Sequence, residues 1–221
     1  MTAEPHDPDA STERAGSSPV KRQQIIDGAN RVFARHGFEG ASMSQIAREA
    51  GVSKGTLYNY FESKAVLFIA TIELVSCSRL SALYDAIVAN THDPRGALTR
   101  FARSYVGVTM TDVTMALHRI VVAEGAMFPQ LAETFWTNGP EKAISHLATW
   151  LELKTEQGFF TIDDPKLAAE QFIALCQTRI ITRRRFNLPV DETPADIDRI
   201  ANAAVSVFFK SYGRESDVGH Q

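Results

Sequence analysis

The sequence is short of several features, and each shortage excludes something. Two cysteines, Cys77 and Cys176, stand far apart and form no CxxC pair. A disulfide framework or a cysteine-rich zinc site is therefore excluded, and both read as apolar thiols in a reducing, cytoplasmic compartment. No apolar run approaches the ~18 residues that a membrane span needs, and the polar, acidic N-terminus lacks the apolar core of a secretory signal. There is no Gly-rich phosphate loop, no nucleophile elbow and no His/Cys/Asp/Glu group at metal-ligand spacing, so neither cofactor nor metal is expected. No internal repeat and no convincing pair of strands is found. Positive charge is also scarce: 23 Lys and Arg stand against 26 Asp and Glu, a formal net charge of −3. Taken whole, that number argues against nucleic acid.

Divided along the chain, it argues otherwise. Residues 1–17 carry one Arg against four acids, residues 18–64 seven basic residues against four acids, and residues 65–221 fifteen against eighteen. A basic module of charge +3 is set between an acidic tail and an acidic body. Residues 1–19, rich in Pro, Asp, Ser and Glu without apolar periodicity, read as a disordered tail. Residues 20–64 read as a small module and residues 65–221 as a larger helical one.

The module is helical throughout. From Val20, the residues Ile25, Ala29, Val32 and Phe33 recur at helical spacing over about sixteen residues, ending at His36-Gly37, where the imidazole favours the helix dipole. Ser42 and Gln45 have the spacing of a capping box ahead of Ile46, Ala47 and Ala50. Gly51 ends that helix, Val52 plugs the turn and Ser53 caps the next, which runs from Lys54 to about Phe61. So short a connection forces the sharp bend of a helix-turn-helix. Beyond it, Val66, Ala70, Leu74, Cys77, Leu80, Tyr84 and Ile87 suggest one long helix leaving the module without a linker. Asp93-Pro94, Asp164-Pro165 and Thr193-Pro194 each pair an N-cap oxygen with a proline preset for a first helical turn. Helices are also expected near Asp112 to Glu124 and Pro129 to Gln157, the latter kinked or divided at Gly139-Pro140. The fold class is all-α.

In the second helix of the pair, Leu57 and Phe61 turn to the core with Val52. Lys54, Gly55, Thr56, Tyr58, Asn59 and Tyr60 remain on the surface. A cation, hydroxyls, an amide and a glycine that permits close backbone approach suit phosphate oxygens and base edges in a major groove. Ser42, Ser44 and Ser53 at helix starts, and Lys64 at the next, complete the candidate DNA contacts.

Read as M-S-Q-I-A-R-E-A-G-V-S-K-G-T-L-Y-N-Y-F-E-S-K-A-V-L, Met43 to Leu67 resembles the DNA-binding signature of TetR/AcrR-family transcriptional regulators. Arg31 to Phe38 is similar to the end of that family's first helix. In the body, Ile120 to Gly125, Phe128 to Leu131, Asp163-Asp164-Pro165 and Ala168 to Phe172 resemble the AefR-like subgroup. The resemblance implies a homodimer of about nine helices per chain. It further implies a palindromic double-stranded operator and an inducer held in the body, with Ser44, Lys54, Gly55, Thr56, Tyr58, Tyr60 and Lys64 at the contact positions.

Body aromatics and methionines are mostly core material, but some suit a pocket for an apolar or aromatic effector. The candidates are Phe101, Tyr105, Met115, His118, Met127, Phe135, Trp136, Trp150, Phe172 and Cys176. His118 also reads as a satisfied core histidine. Arg183-Arg184-Arg185 reads as a solvated cationic helix end, or else as a second anion contact. An intersubunit four-helix contact is expected from Leu167, Phe172, Leu175, Cys176 and Ile180 with Ile197, Ile200, Ala204, Val205 and Phe208. A ligand-responsive repressor is the leading reading. A regulator of the same fold governed by a protein partner, or by no effector, is the second; a helical enzyme is the third.

Overall fold

The computed structural model describes residues 18–88, 92–190 and 192–214, with the side chains of 77–80, 82 and 88 set aside. Among these residues the chain forms eleven helices. They are α1 (Pro19–His36), α2 (Met43–Glu49), α3 (Lys54–Tyr60), α4 (Lys64–Val88), α5 (Pro94–Met110), α6 (Asp112–Glu124), α7 (Pro129–Asn138), α8 (Pro140–Glu156), α9 (Pro165–Cys176), α10 (Ile180–Arg185) and α11 (Pro194–Tyr212). The only β pairing among the described residues is an isolated bridge between Phe160 and Gly213.

The count exceeds the nine or so that the resemblance implies, and each extra break has a local cause. Gly139-Pro140 separates α7 from α8, because proline removes a backbone donor. Thr111, in an extended conformation, caps α6 through its hydroxyl and bends the chain by 68° after α5. Arg179, at φ 63°, separates α10 from α9. The Ser42–Gln45 capping box and the Ser53 cap form as their spacing predicts, as do the three caps ahead of Pro94, Pro165 and Pro194. Ser18 and Pro19, read as the end of the tail, instead cap and open α1, and the rest of the tail lies outside the described residues.

Two apolar clusters result. The head cluster joins Ile25, Ile26, Phe33, Ile46, Leu57 and Phe61 to Leu67 and Phe68 of α4, and also takes Leu117, Ile120 and Leu131 from α6 and α7. Its dense point is Gly28, where an added Cβ would lie 2.7 Å from the Cβ of Ala50. That gap lets α1 and α2 touch backbone to side chain. The body cluster stacks Phe101, Phe160, Phe172 and Phe208 among α5, α8, α9 and α11. The stripe read on α4 holds in part: Ala70 and Ile87 are buried and Leu74 half-buried, but Val66 and Tyr84 are exposed while Leu67, Phe68, Ile72 and Leu83 are buried. The side chains of Cys77 and Leu80 lie outside the described residues. A helix touched by several others along its length has no single buried face, so a one-face pattern captures only part of it.

Candidate nucleic-acid interface and ligand cavity

The helix-turn-helix is held from behind. Glu49, at the end of α2, takes the guanidinium of Arg31 at 2.7 Å and that of Arg35 at 3.0 Å. These two, Arg35 foremost, keep its carboxyl below the usual carboxylate range. The side-chain amide of Gln24 donates to the Ala50 carbonyl at 2.6 Å, closing the turn onto α1. Leu57 is buried and Phe61 nearly so, with Arg22 stacked over the Phe61 ring at 5.4 Å.

The opposite face of α3 is open. Ser53, Lys54, Gly55, Tyr58 and Asn59 are exposed together, with Ser42 and Ser44 at the start of α2. Thr56 is half-buried, its amide capped by the Ser53 hydroxyl at 3.0 Å. Among the described residues, Lys54 and Arg48 are exposed cations with no ion pair. Gly55 has helical geometry, and an added Cβ would meet nothing nearer than the Ser53 hydroxyl at 3.8 Å. The fold therefore places no packing demand on this glycine, although glycine weakens a helix.

Two expected contacts are engaged internally. The Lys64 ammonium donates to the carbonyls of Glu39 at 3.1 Å and Ala41 at 2.9 Å, and lies 4.6 Å from the Phe38 ring centroid. Tyr60 is half-buried, and its hydroxyl accepts the Ser18 amide at 3.2 Å. A lysine opening a helix and a tyrosine ending one look alike in sequence whether they face a phosphate or staple a neighbouring loop.

The body encloses a cavity of about 510 Å³ between α4, α5, α6, α7 and α8, with Gln177 and Arg185 on the α9–α10 side. Of the expected pocket residues, Tyr105, Met115, His118, Phe135 and Trp136 line it. Phe101, Trp150, Phe172 and Cys176 are instead buried in the body cluster, and Met127 is 80% exposed beyond α6. Burial pushes the Cys176 thiol up to about 12. The His118 imidazole is held below its ordinary value by burial first, then by the charges of Arg185 and Arg119. Burial raises the Tyr105 hydroxyl, which accepts from the Gln177 amide at 2.7 Å. Val108, Thr109, Thr114, Val121 and Gln177 also line the cavity, as does Arg185 of the arginine triplet. Gln177 ends α9 at a helix break, where periodicity gives no facing.

The arginine triplet is only partly solvated. Arg183 is exposed, but Arg184 pairs with Asp112 at 2.8 Å and Glu192 at 3.0 Å, and Arg185 turns into the cavity. The residues expected at the subunit contact fall into two groups. Ile180, Ile200, Ala204, Val205 and Phe208 are buried within the chain's own body cluster, as are Phe172 and Cys176. Leu175 and Ile197 are half-buried and Leu167 is exposed, as is Val207 of α11.

Head and cavity share elements, α6 among them. α6 puts His118, Val121 and Val122 on the cavity wall while Ile120 enters the head cluster; Leu117 does both. At its end Glu124 accepts the Glu39 amide at 3.0 Å, and Phe128 meets the Phe38 ring at 5.1 Å.

A helix-turn-helix with an open recognition face, carried on a cavity-bearing helical body, is the build of a transcriptional regulator. Residues 25–71 match the domain of bacterial regulatory proteins of the tetR family, and residues 96–214 match the AefR-like transcriptional repressor C-terminal domain. The structure is similar to that of a TetR-family regulator from Mesorhizobium loti MAFF303099, at 26% identity and a TM-score of 0.83, covering 90% of this chain and 100% of that one. It is similar also to the Flavonoid-responsive Regulator FrrA, at 33% identity and a TM-score of 0.73, with the same coverage. Among curated proteins the chain is 43% identical over 76 residues to the HTH-type transcriptional regulator BetI of Rhizobium meliloti, 34% of this chain and 36% of that one. It is 43% identical over 56 residues to the HTH-type transcriptional repressor AcnR of Corynebacterium efficiens, 25% of this chain and 30% of that one. The matched stretch thus spans about a third of those two curated relatives. The chain belongs to the TetR family of bacterial transcriptional regulators, with an AefR-like body.

Proposed function

We propose that the protein is a ligand-responsive repressor that binds a palindromic operator as a homodimer and releases it when a small apolar or aromatic molecule fills the cavity. The observation that carries this reading is the double role of α6, which forms cavity wall and head core at once. A ligand that prefers one position of α6 thereby prefers one position of the head. A cavity of about 510 Å³ is within the ordinary range for small-molecule sites, and its walls are mostly apolar. One relative of full-length similarity bears the name of a flavonoid-responsive regulator, which favours the same chemical class.

A second copy follows from the size of the reader. α3 has seven residues, too few to specify a useful site alone, whereas two copies about 34–36 Å apart read matching half-sites. Leu167, Ala174 and Leu175 on α9, with Ala203 and Val207 on α11, are apolar residues left exposed or half-buried on these two helices and available to that copy.

The test is fluorescence anisotropy with the protein's own upstream intergenic DNA. Lys54→Ala is expected to weaken binding about ten-fold or more and to flatten the salt dependence by about two units of log–log slope per dimer, with sedimentation unchanged. Affinity and slope both equal to those of the parent would remove the recognition face from this role.

A further inference from the structure

One permanent cation lines a mostly apolar cavity. Arg184 and Arg185 are consecutive on α10, yet their surroundings are opposite. Arg184 takes the available carboxylates, Asp112 and Glu192. Arg185 lines the cavity, and its Nε is shielded from solvent without a hydrogen-bond partner. Among the described residues it has no ion pair, and no aspartate or glutamate lines the cavity. Arginine cannot shed its proton to relieve this, so a half-buried guanidinium with an unpartnered, shielded Nε favours an anion brought from outside.

The groups around it agree. The Gln177 amide and the Tyr105 hydroxyl, bonded to each other, line the same cavity with Thr109. His118, also on the lining, is held toward its neutral form, in which one ring nitrogen still donates. Met115, Phe135 and Trp136 supply apolar wall, Phe135 with its ring 6.2 Å from that of His118.

Resting on the ligand-cavity reading above, we propose that the effector is an amphipathic organic anion: an apolar body against Phe135 and Trp136, with a single oxyanion end on the Arg185 guanidinium. A bidentate guanidinium–oxyanion pair is strong and directional, and it is stronger where the surroundings are mostly apolar. The anion would also complete the hydrogen bonding that α10 leaves open at Arg185 Nε, tying α10 to α5 and α6.

Matched probes of one shape separate charge from fit. Isothermal titration calorimetry on the intact chain compares 2-naphthoate with 2-naphthamide, and decanoate with decanamide. The parent is expected to favour each anion at least about ten-fold over its amide. Arg185→Gln should cut that preference below about two-fold while amide affinity and operator binding hold within about three-fold, and Arg185→Lys should restore part of it. The parent pairs decide the matter even if a variant folds poorly. Equal affinity for anion and amide in the parent overturns the anion proposal and leaves the apolar cavity standing. An undiminished preference in a folded Arg185→Gln variant overturns the role of Arg185. Binding of none of the four probes removes the cavity reading itself, and this inference with it.

Discussion

At the scale of single residues, three side chains carry distinct consequences. Gly55 is exposed on α3, and a methyl group there would meet only the Ser53 hydroxyl, in ordinary contact at 3.8 Å. Alanine at this position should therefore raise stability by about 0.5–1 kcal/mol, since glycine is the poorer helix former. The same methyl would block close approach of a DNA backbone. Gly55→Ala is expected to melt higher and to bind the operator about ten-fold or more weakly; operator affinity equal to the parent's would show that nothing approaches there. Cys176 lies in the body cluster with its thiol pushed up to about 12, so no thiolate forms at neutral pH. In a Cys77→Ser background, Ellman's reagent should leave the native protein untouched and react fully once it is unfolded. His118 adds a pH dependence of known sign. Its folded-state value lies below the ordinary 6.5, so the unfolded chain binds the proton more readily. Stability must then rise with pH from the folded value up to about 6.5 and level off above it. His118→Gln should flatten that rise in chemical denaturation series between about pH 5 and 7, and an unchanged profile would assign the slope to other groups.

At the scale of elements, the caps were the legible part of the sequence and the directions of charged side chains were not. Asp93, Asp164 and Thr193 before proline, and the Ser42–Gln45 box, are local signals whose chemistry is complete within four residues. They set helix starts whatever packs around them. Whether Lys64 meets a phosphate or the Glu39 and Ala41 carbonyls depends on where residues 23 to 25 positions earlier come to rest. No periodicity encodes that. The same holds for Arg185, which shares its helix end with the exposed Arg183 but faces the cavity because α10 starts anew after Arg179. Ala204 and Phe208 mark the apolar face of α11 correctly, yet that face closes on the chain's own α5 and α9. Internal and intersubunit burial leave one signature in sequence. Lys64 also yields a measurement that tells its two roles apart. Lys64→Met loses two hydrogen bonds and a cation–π contact, so stability should fall by about 1–2 kcal/mol. If the staple is its whole role, the salt slope of operator binding stays that of the parent, unlike in Lys54→Ala. A slope flattened by about two units would make Lys64 a phosphate contact after all.

At the scale of the whole molecule, charge and coupling both turn on how the head is fixed to the body. Of the head's seven cations, Arg31 and Arg35 share Glu49, Arg22 covers Phe61, Lys21 donates to Gln24 and Lys64 staples the loop ahead of α2. Arg48 and Lys54 stand exposed without an ion pair beside α3, while the acidic body repels DNA, so approach is favoured from the α3 side of the head. That face is useful for control only if its position depends on the cavity. Two contacts at the end of α6 can impose the dependence: Glu124 on the Glu39 amide and Phe128 on Phe38. Cutting one should uncouple without unfolding, because the Glu39 amide is exposed and water can replace the carboxylate. Glu124→Ala is therefore expected to keep operator affinity within about three-fold and naphthoate affinity within about two-fold. The factor by which naphthoate weakens operator binding should drop several-fold. Linkage requires the operator to weaken naphthoate binding by the same factor, in the parent and in the variant alike. Measuring both directions makes the test internal: a reduced factor that is equal both ways places the coupling at this contact. A factor unchanged from the parent's would mean that the head is driven through α4 or α7 instead, which also enter both the head cluster and the cavity wall.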